Sequence, residues 1–128
     1  MCIRDRFKVL DPNAFIEAPG KCGGANNTTY SNWSVIGAEG LVKADIKRVG
    51  SNIVAEMYLL DIAQQKAVVG KRYEANENDY ERLAHKFSNE ILRYFTGQAG
   101  VFGSKILFVS KLGRFKDLFV MDLSLIHI

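Results

Sequence analysis

The strongest constraint on the fold lies between Arg82 and Asp122, where the spacing of apolar residues changes from helical to strand-like. Apolar residues first recur every three or four positions, which is typical of an amphipathic helix packed on a sheet. The predicted core stripe consists of Tyr80, Leu83, Ala84, Phe87, Ile91, Tyr94 and Phe95. Gly97 suits the left-handed conformation that ends helices. The pattern therefore predicts a helical module that closes at Gly97, followed by a strand-built unit.

The predicted helix has a recognisable start and a polar side. Asn78 suits its N-cap, and Glu81 three positions later completes a capping-box pattern. The helix dipole favours carboxylates in this first turn, which is sufficient reason for the acidic residues there. The opposite side of the helix carries Arg82, His85, Lys86, Asn89 and Arg93.

After a short connector, residues 105–110 and 116–122 predict two strands of a hairpin around the turn at 111–115. Both strands are strongly apolar, and an isolated two-stranded ribbon is marginally stable in water. We therefore expect these strands to have a further partner downstream. Without it, we expect their unpaired edges to favour self-association.

Three strand-like segments precede the helix, at 41–49, 53–62 and 67–74. Turn signals at Gly50-Ser51-Asn52 and Gln64-Gln65 separate them and predict an antiparallel meander. In the first segment Val42, Ala44 and Ile46 alternate with the residues of the other side. One side is thus mostly apolar, and we expect a half-buried strand.

Shorter elements are predicted nearer the N-terminus. Phe7–Leu10 predicts a short strand closed by a turn at Asp11-Pro12. Residues 17–29 are typical of an exposed loop, and a helical turn is predicted at 31–34. The inward positions around that turn are predicted to be Trp33, Ile36 and Ala38.

Size and composition fit one globular domain. The chain has 128 residues, of which 48% are hydrophobic and 24% charged, and this excludes wholesale disorder. Its net charge of +3 is small, and basic residues are interspersed with acids, unlike the basic stripe of nucleic-acid binders. No apolar run reaches the roughly 18 residues that span a bilayer. Cys2 and Cys22 form neither a disulfide framework nor a metal-binding spacing.

Both ends of the chain resemble translated sequencing adaptors, MCIRDR at the start and LSLIHI at the end. We therefore interpret residues 1–6 and 124–128 as artefacts, and leave Cys2 and His127 out of functional arguments. A signal peptide could have been lost upstream, so this N-terminus does not decide localisation.

The sequence predicts no catalytic, cofactor-binding or metal-binding residues, no cofactor and no enzymatic activity. His85 is the only histidine outside the suspect ends, and no second ligand lies at a suitable spacing. We interpret it as structural, at the edge of the helix–sheet contact or on the helix surface. Gly97, Gly100 and Gly103 follow a helix instead of opening one, so they do not form a phosphate-binding loop.

The stretch from Arg82 to Asp122, which constrains the fold most strongly, also resembles a known family. The residues that carry the resemblance are Arg82-Leu83-Ala84-His85, Ile91, Thr96-Gly97, Gly100, Phe102, Lys105-Ile106 and Leu118-Phe119-Val120-Met121-Asp122. They resemble TolB, a family of periplasmic proteins of the Tol–Pal cell-envelope system of Gram-negative bacteria. Further similarity is found at Trp33, Ile36-Gly37-Ala38, Leu41-Val42 and Leu59-Leu60-Asp61. Asn89 and Lys105 depart from the pattern, because the family tends to have Asp and Arg there.

The resemblance implies an α/β fold of the α+β type. A mixed β-sheet would carry one long and one short helix packed on it, followed by a β-hairpin that begins a truncated β-propeller. Residues 7–99 would form the N-terminal α/β domain, and residues 100–123 the connector and the first two propeller strands. In the family the propeller docks the lipoprotein Pal, and an extended N-terminal segment contacts TolA.

The function implied by the resemblance is that of a non-enzymatic protein-interaction module in the periplasm. Such a module would serve outer-membrane integrity, protein transport and envelope constriction at cell division. It would have protein partners, no nucleic acid and no direct membrane insertion, and its protein-binding residues are unknown. One alternative is an RNA-binding module with an anticodon-binding-like fold, which predicts a clustered basic and aromatic face. Another is a small enzyme domain, which requires convergent polar residues; the sequence shows neither pattern.

Overall fold

A computed structural model describes residues 7–17 and 27–123, apart from the side chain of Leu112. The interpretations of Cys2, Cys22 and His127, of both chain ends and of most of the loop at 17–29 fall outside these residues.

The described chain contains two α-helices and five strands. They are α1 (Tyr30–Val35), β1 (Gly40–Val49), β2 (Asn52–Asp61), β3 (Lys66–Asn76), α2 (Tyr80–Thr96), β4 (Lys105–Leu112) and β5 (Phe115–Asp122). One sheet has the order β1-β2-β3, and β4 and β5 form a second sheet. Short turns join consecutive strands within each sheet, so neighbouring strands run antiparallel. The α+β class predicted from the sequence is confirmed.

The predicted strand at Phe7–Leu10 is wrong, because these residues adopt no regular structure. Val9 is 88% exposed, so this run buries too little apolar surface to be held in a sheet. The helical turn predicted at 31–34 is confirmed within α1, where Trp33 is buried.

Contacts divide the chain into two compact units. The first comprises Met1–Lys47 and Ala55–Arg72, and the second comprises Arg48–Val54 and Tyr73–Ile128. The buried apolar residues of the first unit are Trp33, Ala55, Leu59, Leu60 and Ile62. Those of the second unit are Ala75, Leu83, Phe87 and Leu92.

The apolar side of β1 faces the opposite way from the prediction. Val42 is 46% exposed and Ile46 is 60% exposed, whereas Leu41, Lys43 and Asp45 are half-buried. The alternation of side chains in β1 separates two faces, but it does not fix which face the rest of the protein covers. The long stem of a lysine can be partly buried while its charged head stays in water, as at Lys43.

The start of α2 also differs from the prediction that Asn78 caps the helix. A 3-10 turn, Glu77–Asp79, precedes the helix, and the side chain of Asn76 accepts the N–H of Asn78 at 3.2 Å. Asp79 is the N-cap of α2 and makes no capping hydrogen bond with its side chain. The inserted turn moves the side-chain cap to Asn76, and the predicted capping box is not formed.

The predicted core stripe of α2 is correct only in part. Leu83 and Phe87 are buried, but Tyr80 is 60% exposed and Phe95 36% exposed. These two aromatic residues lie in the terminal turns, where less of the protein covers the helix. The stripe member Ala84 is exposed, and Leu92 is buried although it is not in the stripe.

The predicted end of α2 is confirmed. Gly97 has a φ of 69°, in the left-handed region, and its N–H donates to the carbonyl of Arg93 at 2.9 Å. The hydroxyl of Thr96 donates to the carbonyl of Leu92 at 2.7 Å and accepts the N–H of Gln98 at 3.2 Å. The Thr-Gly pair thus ties up backbone groups that a helix end leaves unpaired.

The first unit contains a clasp between the N-terminal segment and α1. Glu17 accepts hydrogen bonds from the side-chain amide of Asn32 at 3.0 Å and from the indole N–H of Trp33 at 3.2 Å. Phe15 packs edge to face on Trp33, with ring centroids 5.0 Å apart. Desolvation acts to raise the pKa of Glu17, but hydrogen bonds from Thr29, Asn32 and Trp33 outweigh it and lower the pKa.

We predict that the clasp loosens in acid. Because folding lowers the pKa of Glu17 from its ordinary value of 4.5, the stabilisation is complete above that value. It is lost as the pH falls through the folded pKa. Trp33 is the only tryptophan, so its fluorescence emission reports the opening. Glu17→Gln should remove this acid transition while Glu39→Gln, an exposed control, retains it. Identical titrations of the two variants would contradict the prediction.

Candidate interaction surface

The polar side of α2 holds the connector that leads into β4. The side-chain amide of Asn89 donates from Nδ2 to the carbonyl of Phe102 at 3.0 Å. Its Oδ1 accepts the N–H of Phe102 at 2.9 Å. One side chain thus pairs with both backbone groups of one residue, as a neighbouring strand would do. We term this pair of hydrogen bonds the Asn89 latch.

Two glycines of the connector lie beside this side of the helix. A Cβ at Gly100 would lie 2.6 Å from the Cβ of Asn89, a separation that real Cβ atoms essentially never show. Gly103 has a φ of 83°, and a Cβ there would lie 3.6 Å from Nδ1 of His85. His85 is half-buried beside the connector, in agreement with a structural role. Gly100 is therefore required by the latch, and Gly103 by its backbone conformation.

Neither the role of Asn89 nor the burial of Leu92 is predicted from the sequence. Both Asn89 and His85 belong to the predicted polar side of the helix, yet they are half-buried. One signal was available: His85 and Asn89 are four residues apart on one helix face, and Gly100 and Gly103 follow with a similar spacing. Small residues opposite a helix face indicate a close approach of backbone.

β4 and β5 form the hairpin predicted after the connector. Their register runs from Lys105 opposite Asp122 to Leu112 opposite Phe115. The strands are longer than predicted and leave a turn of only Gly113 and Arg114. Gly113 has a φ of 65°, which explains the glycine at this tight turn.

Both faces of this hairpin are apolar. Directly opposite residues share a face, so one face carries Leu107, Val109, Leu118 and Val120. These four side chains are 61%, 58%, 66% and 62% exposed, in that order. We term them the aliphatic face.

The other face carries an aromatic pair. The rings of Phe108 and Phe119 stack with centroids 5.6 Å apart, and both side chains are 41% exposed. A solvated antiparallel sheet would normally have one polar face. A ribbon that is apolar on both faces is a candidate interaction surface.

Other surface features are explained by the fold itself. A shallow groove of about 320 Å³ is lined by Glu56, Tyr58, Gly70, Lys71 and Arg72. It forms where Gly70 leaves room for the ring of Tyr58. A guanidinium nitrogen of Arg72 lies 3.9 Å from Oε1 of Glu56. Within residues 7–17 and 27–123, no three His, Cys, Asp or Glu side chains are grouped to hold a metal ion. No helix in the described part of the chain is long and apolar enough to cross a membrane.

Comparison with known proteins decides the family. A family described as the TolB amino-terminal domain matches residues 5–68. The chain belongs to this TolB family.

Relatives of this TolB-family chain align well beyond the family match. The Tol-Pal system protein TolB of Geobacter metallireducens is 33% identical over 122 residues, covering 95% of this chain and 28% of that protein. The protein of the same name from Syntrophotalea carbinolica is 30% identical over 117 residues, covering 91% of this chain and 27% of that protein. The chain thus spans just over a quarter of these relatives, and the aligned part includes α2 and most of the hairpin.

A solved structure supports the fold. The crystal structure of TolB from Acinetobacter baumannii superposes with a TM-score of 0.72 at 20% identity, covering 84% of this chain and 28% of that one. At this identity the similarity concerns the fold alone. The resemblance found in the sequence is therefore confirmed at the level of family and architecture.

We predict that the latch is a main stabilising contact of the second unit. Asn89→Ala removes both hydrogen bonds to Phe102, and should lower the free energy of unfolding by about 2 kcal/mol. Asn89→Asp keeps the acceptor but loses the donor, so its loss should be smaller. Urea unfolding measures both, with Asn78→Ala, whose exposed side chain makes no cap, as the control.

The glycine opposite the latch offers a test of mechanism. Gly100→Ala should destabilise the native chain strongly, because its Cβ would displace the side chain of Asn89. The same substitution should cost far less when Asn89→Gly is already present, since neither the Cβ nor the amide of residue 89 then stands in the way. Equal losses in the two backgrounds would show that Gly100 serves another purpose.

Proposed function

We propose that this chain is a non-enzymatic protein-interaction module of the Tol–Pal cell-envelope system, acting in the periplasm. The family match over residues 5–68 carries the proposal, together with relatives named Tol-Pal system protein TolB. The exposed apolar hairpin supports a role in binding protein, because surfaces of this kind are covered in assemblies. The processes served would be outer-membrane integrity, protein transport and constriction of the envelope at division.

The proposed organisation separates two parts of the chain. Residues 7–99 form the N-terminal domain, and residues 100–123 form the connector and the first two strands of a β-propeller. In this proposal Pal binds the propeller, and TolA binds an extended segment before the N-terminal domain. The module relays binding between them through its position relative to the propeller. The Asn89 latch supports such a relay, since it fixes the connector onto α2.

The RNA-binding alternative finds no support in the comparisons. Several basic side chains are also paired with acidic ones. The ion pairs are Lys47–Asp45, Arg48–Glu77, Arg72–Glu56 and Arg82–Asp79. We therefore keep the protein-interaction function as the single proposal.

A domain exchange tests it. In Geobacter metallireducens, the segment of TolB that aligns with this chain is replaced by residues 7–122 of this chain. The chimera should restore the outer-membrane barrier of a strain that lacks TolB, measured as detergent resistance and retention of periplasmic proteins. It should also co-purify with Pal and with TolA.

Two variants of the chimera separate the relay from simple folding. Asn89→Ala should loosen the connector and weaken barrier function while the chimera is still exported. Asn78→Ala, in the 3-10 turn before α2 and outside the latch, should behave as the unmodified chimera. A chimera that reaches normal levels but leaves the cells as leaky as the deletion strain would refute the proposed function.

A further inference from the structure

The segment that ends at Glu17 meets α1 as a bound peptide meets its receptor. After the 3-10 turn Pro12–Ala14, the backbone of Phe15 is extended, with a φ of −71° and a ψ of 126°. Phe15 and Glu17 are half-buried, whereas Ile16 between them is 58% exposed. Successive side chains of an extended segment lie on opposite sides, which agrees with this alternation of burial. We term residues 15–17 the clasp segment.

The side chains of the clasp segment attach it to α1. The carboxylate of Glu17 accepts from the side-chain amide of Asn32 at 3.0 Å and from the indole N–H of Trp33 at 3.2 Å. The ring of Phe15 packs edge to face on that of Trp33. Among the described residues, no backbone–backbone hydrogen bond joins the clasp segment to α1. Such an attachment can open without breaking a helix or a sheet ladder.

The surface of α1 that receives the clasp segment matches two chemical groups. An indole N–H and the NH₂ of an amide can only donate, so a carboxylate, which can only accept, complements both Trp33 and Asn32. The ring of Trp33 offers an aromatic partner the favourable edge-to-face geometry, with centroids 5.0 Å apart at Phe15. Trp33 therefore contacts both groups, through its ring and through its N–H.

We propose that this surface of α1 is a docking site for an extended segment of a partner protein, with an aromatic residue followed two positions later by Asp or Glu. The clasp segment fills the site from within the same chain, and the partner segment takes its place. In peptide recognition, contacts to alternate side chains of an extended segment give specificity. The site uses no residue of the hairpin or of the Asn89 latch, so it does not rest on the proposed function.

The clasp segment determines how strongly a partner must bind to displace it. A tethered segment competes at an effective concentration in the millimolar range. Only two side chains make the contact, so a free peptide should bind the open site with a dissociation constant on the order of hundreds of micromolar. Together these values imply that the clasp segment weakens the binding of a free peptide about tenfold.

Fluorescence anisotropy with a labelled peptide tests this proposal. The peptide has the sequence of residues 11–18, DPNAFIEA, with both ends blocked. The receptor is the whole 128-residue chain with Phe15→Ser and Glu17→Gln, which removes the ring contact and the charge of the clasp segment. The peptide should bind this receptor, and should bind the native chain about tenfold more weakly.

Matched changes in the peptide and in the receptor show which groups are recognised. Glu17→Gln in the peptide removes the carboxylate and should weaken binding about tenfold. Ile16→Ser in the peptide changes the side chain on the exposed side, and should leave the affinity within about twofold. Asn32→Ala added to the receptor should also weaken binding about tenfold, whereas Ser31→Ala, an exposed neighbour, should not.

Folding of the receptor is checked separately from binding. Circular dichroism should show the native content of helix and strand. Trp33 is the only tryptophan, so its emission should shift to longer wavelength in the receptor and return when the peptide binds. If the double variant does not fold, Glu17→Gln alone serves as the receptor, and its affinity for the peptide should lie between those of the open site and the native chain.

Three results would overturn the proposal. The first is a folded receptor that does not bind the peptide at millimolar concentrations. The second is equal affinity of the receptor and the native chain, which would place the peptide elsewhere on the protein. The third is equal binding of the unmodified and Glu17→Gln peptides, which would show that the carboxylate is not recognised.

Discussion

The second unit depends on one amide side chain that replaces a strand. Between the end of α2 and the start of β4 the backbone runs without a ladder, so its polar groups need partners from elsewhere. Asn89 supplies a donor and an acceptor to Phe102 at the same time. This is possible only because Gly100 has no side chain where the amide lies. The direction in which the chain enters β4 follows from that contact.

The clasp of the first unit is a similar contact, made by a charged side chain. Glu17 binds the side chains of Asn32 and Trp33, and so attaches an irregular segment to α1. In both units the hydrogen bonds of one polar side chain attach an irregular segment to a helix. Such contacts contribute modest free energy individually but decide where a loop lies.

The β4–β5 hairpin stands in contrast to these satisfied contacts, because its aliphatic face is exposed among the described residues. Apolar residues on both faces of a hairpin are typical of a strand pair that is covered in a larger assembly. In the proposed function that assembly is a propeller of the longer TolB proteins, of which this chain spans just over a quarter. An apolar strand with an unpaired edge favours pairing with a further strand.

Local features of this protein were determined by the sequence alone. The helical periodicity before Gly97, the stop at Thr96-Gly97 and the hairpin around Gly113 depend on residues close together in the chain, so they could be predicted. The family resemblance rests on the same local motifs. Tertiary structure alone decided which side of β1 is exposed, why Leu92 is buried and what Asn89 binds. Each of these depends on segments that are distant in the sequence. At Asn89 the partner is the backbone of Phe102, and backbone hydrogen-bonding groups are the same in nearly every residue type, so the sequence carries no sign of the contact.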